Sequence, residues 1–186
     1  MKLSKSLYTR AIQCQKSLWL KKHNKDVLTP PNAAAQAIFQ NGNEAGDLAC
    51  KLFPNGVEIP YLNTTFQDKI NLTQEYINQG IQNIYEATFE FDGILIMIDI
   101  LNIKDNSVII NEVKSSTQVK DIYLHDASIQ YYVLNGLGYD VKKVNIIHIN
   151  NEYVRDEELD INQLFSVVDV TYEVKELQAK KKNNLE

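Results

Sequence analysis

The chain has 186 residues, of which 44% are hydrophobic and 23% are charged, a composition typical of one globular domain. Its formal net charge of −5 argues against nucleic-acid binding through bulk charge alone, although it allows a local basic groove beside an acidic site. Two cysteines are too few for a disulfide framework, and no apolar run approaches the ~20 residues of a membrane span. We therefore expect a cytoplasmic protein that does not insert into a membrane.

Residues 1–178 are expected to form a single domain, because no linker or internal repeat interrupts them. The end of the chain reads KELQAKKKNNLE and is rich in lysine and asparagine, which predicts a disordered tail over residues 179–186. Its final Leu185-Glu186 resembles a cloning remnant. The natural protein could therefore continue with a further C-terminal domain.

The N-terminal part of the chain is predicted to be mainly helical. Ser4 or Ser6 can cap a first helix, a second helix follows Cys14, and Pro30-Pro31 ends that region. An alanine-rich helix comes next, and its apolar side chains are expected to face the core: Ile38, Phe39, Ala45, Leu48, Ala49 and Leu52.

Alternating apolar residues predict an antiparallel meander in the centre of the chain. Asp92-Gly93 is a strong two-residue hairpin signal, and a second turn at Asp105-Asn106 leads into the run VIINEVKSS. The other predicted elements are a strand from Val57 to Ile59, a helix from Thr64 to Asn78, a helix from Asp121 to Leu134, a strand from Val141, helical turns from Ile161 to Val168 and a helix from Thr171 to Lys182.

The two tight turns define a register that aligns three carboxylates. Two-residue loops place Glu86 opposite Asp99 and Asp99 opposite Glu112. The same register pairs Ile98 with Val113, so that the other face of the sheet is apolar. A one-residue slip would turn the charges into this apolar face, which supports the predicted register.

Aligned carboxylates repel one another, and a cation would relieve the repulsion. Lys114 emerges on the same face as Glu112, because it lies two residues further along the strand. Oxygen ligands of this kind suit Mg²⁺ or Mn²⁺. The alternative is an ordinary solvated sheet face, on which the polar side chains of Thr88, Glu90 and Lys114 would contact water. Spacing alone leaves both interpretations open.

The order of Asp99, a hairpin, Glu112-Val113-Lys114 and a helix carrying Gln130 resembles the PD-(D/E)XK nuclease superfamily. The chain is most similar to the RecB-like branch, which includes the CRISPR-associated exonucleases, and to a bacterial family with patterns such as GNEAGDLACKLFPNGV and NEVKSSTQVKDIYLHDASIQYYVL. Together these patterns extend over most of residues 4–172. The resemblance implies an α/β fold with a restriction-endonuclease-like core, in which a central mixed β-sheet contains an antiparallel meander and is flanked by helices.

The resemblance also implies roles for individual residues. Asp99 and Glu112 would bind the metal through their carboxylates, and Val113 would contribute its backbone carbonyl. Lys114 would orient the attacking water or help to deprotonate it, and would stabilise charge on the phosphate. Gln130 would contact the site or the nucleic acid.

Two further side chains on the helix of Gln130 are candidate nucleic-acid contacts. The family carries a tyrosine four positions after the glutamine, where this chain has Leu134. Tyr132 can substitute for it, and Tyr131 and Tyr132 can stack on bases. Packing between helices is the alternative use of these rings.

Other departures from the family concern metal ligands. Many RecB-like nucleases carry a histidine on the early helix after a glycine, where the segment GNEAG offers Glu44 instead. Glu86 is an additional candidate ligand, or a surface acid of its strand. Cys14 in CQKSLWL resembles an iron–sulfur ligand of such nucleases, yet only Cys50 accompanies it. A four-cysteine cluster would need cysteines outside this chain, and a free buried cysteine is the alternative.

The implied activity is hydrolysis of DNA phosphodiester bonds with Mg²⁺ or Mn²⁺, by an exonuclease acting on single strands or ends. RNA stays an alternative substrate. A catalytically silent nucleic-acid-binding module and a structural or protein-interaction domain are the competing functions, and the oligomeric state is open. Basic N-terminal residues are candidate phosphate contacts or solvated side chains: Lys5, Arg10, Lys16, Lys21 and Lys22.

Overall fold

The computed structural model describes residues 3–104 and 107–183, with side chains through residue 179. In these ranges the strands are β1 (Leu3–Ser4), β2 (Val57–Glu58), β3 (Asn83–Phe91), β4 (Ile94–Lys104), β5 (Ser107–Lys114), β6 (Asp140–Ile149) and β7 (Phe165–Asp169). The helices are α1 (Lys5–Gln13), α2 (Gln15–His23), α3 (Ala33–Ala49), α4 (Phe66–Asn78), α5 (Asp121–Gly136), α6 (Ile161–Leu164) and α7 (Thr171–Asn183).

The described strands form one mixed sheet in the order β2-β3-β4-β5-β6-β7, with β1 added to β4. Strands β2 and β3, like β5 and β6, are parallel, whereas the meander and the pair of β6 and β7 are antiparallel. Helices flank this sheet. The predicted α/β class, with a central mixed sheet that contains an antiparallel meander, is therefore confirmed.

Two apolar clusters lie on the two sides of the sheet. Neighbouring residues of a strand alternate between them, as the pleat requires: Leu101 belongs to the larger cluster, which includes residues of α5, and Ile100 to the smaller one. The smaller cluster contains the buried residues Ala45, Ala49, Ile100, Val113, Ile147 and Phe165.

The meander follows the predicted register near both turns. Asp92-Gly93 has φ angles of 50° and 71°, as a type I′ hairpin turn requires. Phe91 lies opposite Ile94 across this turn. Lys104 pairs with Ser107 after the second predicted turn, as the predicted register requires.

The ladder between β4 and β5 is shorter than predicted. It ends at the pair of Ile100 and Asn111, while the turn residues Asp105-Asn106 lie outside the described residues. The predicted pair of Ile98 with Val113 is wrong, because the strands have parted at that point. The two side chains accordingly pack in different apolar clusters.

Strand β1 pairs with β4 along the part of its edge where β5 no longer pairs. Because β3 pairs along one edge of β4 from Asn102 to Ile94, the parallel pairing of Leu3 with Ile94 must use the other edge. Ser4, rather than Ser6, then caps α1 by accepting a hydrogen bond from the N–H of Leu7. The chain therefore turns into a helix at Lys5, close to where β4 and β5 part.

The predicted core face of the alanine-rich helix is partly wrong. Ala45 and Ala49 are buried, but Ile38 and Phe39 are 64% and 61% exposed. The buried residues of α3 lie only in its C-terminal half, where it packs on β5. The N-terminal half extends past this contact, so its large apolar side chains are left exposed.

The helical turns predicted from Ile161 to Val168 are also wrong beyond Leu164. Asp160 caps the single turn of α6 by accepting from the N–H groups of Asn162 and Gln163. The following run FSVVD is instead the edge strand β7, paired with β6. Short segments rich in β-branched residues fit such an edge better than a second helical turn.

Helix α7 continues to Asn183, past the position at which the sequence predicted a disordered tail to begin. Residues 184–186 lie outside the described residues. Among the described residues, no helix has both the length and the apolar character needed to cross a membrane.

Candidate active-site cleft

Asp99 lies on β4 directly before the ladder with β5. Its Oδ2 accepts a hydrogen bond from the backbone N–H of Val113 at 2.7 Å. A contact between a side chain and the backbone thus joins the two strands where their backbone pairing has stopped. Asp99 and Glu112 consequently line the same cleft from neighbouring strands, although the predicted pairing of Asp99 directly opposite Glu112 is wrong.

Glu112 is 1% exposed and accepts four hydrogen bonds. Its Oε1 accepts from Lys5 Nζ at 2.9 Å and from Lys114 Nζ at 2.6 Å. Its Oε2 accepts from Lys5 Nζ at 3.0 Å and from Gln130 Nε2 at 2.6 Å. These four bonds use the roughly four lone-pair positions of a carboxylate. Three predicted site residues, Glu112, Lys114 and Gln130, are therefore in direct contact.

Asp126 belongs to the same network, although sequence reasoning did not select it. Its Oδ2 accepts from Lys114 Nζ at 2.6 Å, and its Oδ1 lies 3.9 Å from Lys5 Nζ. Asp126 precedes Gln130 by one helical turn on α5, so both side chains leave the same face of the helix. The sequence could have indicated Asp126, because a residue one helical turn before Gln130 projects from the same face of the helix.

Lys5 was named in the sequence only as a candidate phosphate contact. The structure buries its ammonium among the carboxylates of Glu112, Asp99 and Asp126. No local pattern could have predicted this position, because Lys5 and Glu112 are separated by 107 residues in the chain.

The buried charges perturb one another. Burial raises the pKa of Glu112, but Lys114 and Lys5 outweigh burial and hold that pKa well below its ordinary value. Burial lowers the pKa of Lys114, but Glu112 and Asp126 reverse this effect and raise it above its ordinary value. Burial and the charge of Glu112 raise the pKa of Asp99 to about 7. At neutral pH Glu112 is therefore ionised and Lys114 protonated.

The cleft beside this network has a volume of about 1080 Å³. Its lining includes Val113, Lys114 and Ser115. Five acidic residues also line it, from four strands and one helix: Asp47, Glu58, Glu86, Asp99 and Glu112. Apolar side chains from α3 and the loop before α4 form another part of the lining: Ile38, Phe39 and Tyr61. The cleft therefore combines carboxylates with exposed rings.

Glu86 has an unusual backbone conformation where it lines the cleft. Its φ angle is 56°, in the left-handed region that non-glycine residues seldom adopt. Near it, the buried N–H of Thr88 donates to Thr73 Oγ1 of α4 at 2.9 Å. Burial raises the pKa of Glu86, and Lys5 partly opposes this rise. The strand β3 is thus distorted beside Asp99, and the predicted pair of Glu86 with Asp99 is wrong, because β3 and β4 pair on either side of Glu86 but not at it.

Glu44 is not placed like the other candidate ligands. Its side chain is exposed on α3 and accepts a hydrogen bond from Gln40 at 3.0 Å. The residues of this helix that line the cleft include Asn43 and Asp47 instead. Asp47 lies three residues after Glu44, nearly one helical turn away.

Tyr131 and Tyr132 line a separate, mostly apolar cavity of about 640 Å³ beside α7. Tyr132 donates to Asp92 Oδ2 at 3.1 Å, and the ring of Tyr131 lies 6.0 Å from Lys175 Nζ. Both rings thus pack away from the acidic cleft, which agrees with the helix-packing alternative. Cys14 is a free cysteine exposed at the junction of α1 and α2, so the alternative of a buried cysteine is wrong.

The oxygen donors of the cleft suit a hard divalent cation in their chemistry. Two buried oxygens, Asp126 Oδ1 and Gln130 Oε1, also find no hydrogen-bond partner among the described residues. Within the described part of the chain, however, no group of three or more His, Cys, Asp or Glu side chains is arranged to hold a metal ion. We attribute this arrangement to Lys5 and Lys114, whose ammonium groups bind the Glu112 oxygens.

Comparisons with known proteins add no assignment. No protein-family model matches the chain, and a search of curated proteins finds no significant match.

Proposed function

We propose that this chain is a divalent-metal-dependent nuclease domain of the PD-(D/E)XK type that hydrolyses phosphodiester bonds in DNA. The observation that carries the proposal is the convergence of Asp99, Glu112 and Lys114 on one cleft, where Gln130 donates to Glu112. Carboxylates beside a protonated lysine supply what attack by water on a phosphate needs. The two cysteines favour the cytoplasm as its compartment.

The side chains divide the chemistry among them. Mg²⁺ or Mn²⁺ held by Asp99, Glu112 and the Val113 carbonyl would polarise the phosphate and lower the pKa of bound water. Lys114 stays protonated because Glu112 and Asp126 raise its pKa against the effect of burial. It therefore stabilises negative charge on the phosphate and orients water, and does not accept a proton. Gln130 fixes the orientation of the Glu112 carboxylate.

The charge distribution supports a nucleic-acid substrate despite the negative net charge. Residues 1–25 include seven lysines and arginines and no acidic residue. Helix α2, in this segment, has no buried side chain, and its Trp19 is 58% exposed with its ring 5.3 Å from that of His23. A basic segment with an exposed ring suits phosphates and stacked bases.

The apolar lining of the cleft favours single-stranded substrates. Phe39 and Tyr61 present exposed rings beside the carboxylates. Unpaired bases can stack on such rings, whereas bases inside a duplex are covered by their neighbours. We therefore propose single strands or frayed ends as the substrate.

A catalytically silent nucleic-acid-binding module is the second candidate. The specific observation in its favour is that Lys5 binds both oxygens of Glu112, which is the central carboxylate of the proposed metal site. A domain that kept this ion pair permanently would bind nucleic acid without cutting it.

Cleavage of labelled single-stranded DNA, double-stranded DNA and single-stranded RNA tests the proposal, with Mn²⁺ or with EDTA. We expect single-stranded DNA to be cut in Mn²⁺ and not in EDTA. Asp99→Asn and Lys114→Met should each lower the rate at least ~100-fold. Lys142→Met removes an exposed lysine of β6 and is the matched control, with an unchanged rate.

Two outcomes would contradict this assignment in different ways. Equal cleavage by the wild type, Asp99→Asn and Lys114→Met would place the activity elsewhere or in a contaminant. Binding of DNA without cleavage, in Mg²⁺, Mn²⁺ and other divalent ions alike, would instead support the silent module.

A further inference from the structure

We infer that Lys5 is a resident cation of the cleft, which competes with a divalent metal for Glu112 and thereby sets the metal affinity. This inference rests on the proposed function, because it concerns the metal that the nuclease would use. Lys5 acts in it as a positioning residue, through Glu112.

The first step of the argument is that Glu112 has no free acceptor position. Lys5 takes one position on each of its oxygens, Lys114 takes the second position on Oε1, and Gln130 takes the second on Oε2. A carboxylate offers roughly four such positions. A metal can therefore bind Glu112 only when one of the three donors leaves.

The second step is that Lys5 is the donor best able to leave. Gln130 is completely buried in α5, and Lys114 is also bound to Asp126 at 2.6 Å. Lys5 belongs to α1, which has no buried residue, and its other carboxylate neighbours lie at 3.9 Å. No side chain of its own helix is fully buried, so its departure disturbs no buried core residue of α1.

The third step is that an acceptor is available beside the position of Lys5. Asp126 Oδ1 is buried, has no hydrogen-bond partner within the described chain and lies 3.9 Å from Lys5 Nζ. A small shift of the ammonium from Glu112 to Asp126 would satisfy this oxygen. Lys5 can thus release Glu112 and remain in the cleft.

The fourth step concerns the charge that a metal meets. Three carboxylates, of Asp99, Glu112 and Asp126, lie around two ammonium groups, of Lys5 and Lys114. Removing the charge of Lys5 leaves one more uncompensated negative charge within a few ångströms of the ion. Attraction at such distances is strong in a poorly solvated site.

Calorimetric titration of Mn²⁺ in the absence of nucleic acid tests the inference. Lys5→Met keeps the length of the side chain and removes its charge, and we expect at least ~10-fold tighter Mn²⁺ binding than in the wild type. Lys5→Arg keeps the charge and should bind no more tightly than the wild type. Lys142→Met removes an exposed lysine of β6 and serves as the control, with unchanged affinity.

Thermal unfolding provides a second measurement on the same proteins. Lys5→Met should unfold at a lower temperature than the wild type in EDTA, because Glu112 has lost a partner. Mn²⁺ should then raise its unfolding temperature by more than it raises that of the wild type. Should Lys5→Met fail to fold, Lys5→Gln is titrated instead, with the same direction expected.

A purely structural role for Lys5 would weaken Mn²⁺ binding when the lysine is replaced. Equal or weaker binding by the charge-removing variants, Lys5→Met or Lys5→Gln, therefore overturns the inference and leaves the proposed function intact. An increase of the same size in Lys142→Met also overturns it. Absence of Mn²⁺ binding in the wild type and all variants overturns both the inference and the proposed function.

Discussion

The backbone N–H of Val113 donates to Asp99 Oδ2 at 2.7 Å, beyond the last backbone pair of β4 and β5, which joins Ile100 and Asn111. This bond keeps the two strands associated while their backbones separate. It also satisfies an N–H that the shortened ladder leaves without a strand partner. Asp99 therefore reaches the cleft at the same point at which β4 and β5 separate.

Asp99→Asn is expected to stabilise the metal-free protein at pH 8, because asparagine keeps an acceptor for Val113 without a buried charge. Burial and Glu112 raise the pKa of Asp99 to about 7, above its value in an unfolded chain. The folded wild type therefore holds a proton that the unfolded chain releases, and its stability falls as the pH rises from about 4 to about 7.

The measurement is thermal unfolding in EDTA between pH 5 and pH 8. The variant should unfold at least ~2 °C above the wild type at pH 8, with a smaller difference at pH 5. A difference that does not change with pH would mean that Asp99 titrates normally.

Glu112→Gln is expected to destabilise the metal-free protein strongly. The amide cannot compensate the buried ammonium groups of Lys5 and Lys114, and losing one partner of a buried ion pair typically costs ~3–5 kcal/mol. Urea denaturation in EDTA measures the loss in the free energy of unfolding. Glu152→Gln, an exposed change of the same kind, should stay within ~0.5 kcal/mol of the wild type. Similar small effects of both changes would argue against the observed ion network.

Glu86→Gly is expected to be more stable than Glu86→Ala by about 1 kcal/mol. Both changes remove the carboxylate, but only glycine adopts a φ of 56° without steric cost. Glycine within a regular strand is instead the less stable of the two. Chemical denaturation measures the free energy of unfolding of the two variants. The sign of the difference between them therefore shows whether residue 86 adopts the left-handed conformation. Greater stability of the alanine variant would mean that β3 is regular at this position.

The two cysteines are expected to react with a disulfide reagent at very different rates. Cys14 is exposed, whereas Cys50 lines the cleft, where burial and the charge of Asp47 raise the pKa of its thiol to about 12. Since the thiolate is the nucleophile, Cys50 should react at least ~100-fold more slowly at pH 8. Stopped-flow absorbance should show two phases, and Cys14→Ser should lose the fast one. A single fast phase for both thiols would contradict this placement.

The parts of the fold that sequence predicts well are those specified locally. Asp92-Gly93 defines the first hairpin because few residues other than glycine and Asx tolerate positive φ at both turn positions. The alternation of apolar residues then decides which side chains share a face. These two features are sufficient to assign Asp99, Glu112 and Lys114 to one face of the sheet.

The parts that sequence predicts poorly depend on where other elements end. Ile38 and Phe39 match a helical core pattern, yet α3 reaches the sheet only with its C-terminal half. The register placed Asp99 opposite Glu112, but nothing in the pattern indicated that pairing would stop one residue earlier. The contact of Lys5 with Glu112 depends on where β1 is added to the sheet, and the two residues of β1 carry too little pattern to predict it.

The contact between Lys5 and Glu112 also has a consequence for biosynthesis. Lys5 is translated 107 residues before Glu112. The charge of Glu112 is therefore compensated only after both segments have been translated and have come together. A shortened translation product that began after α1 would retain strands β2 to β7. It would nevertheless carry a more negative pocket on the same scaffold, with a different preference among cations.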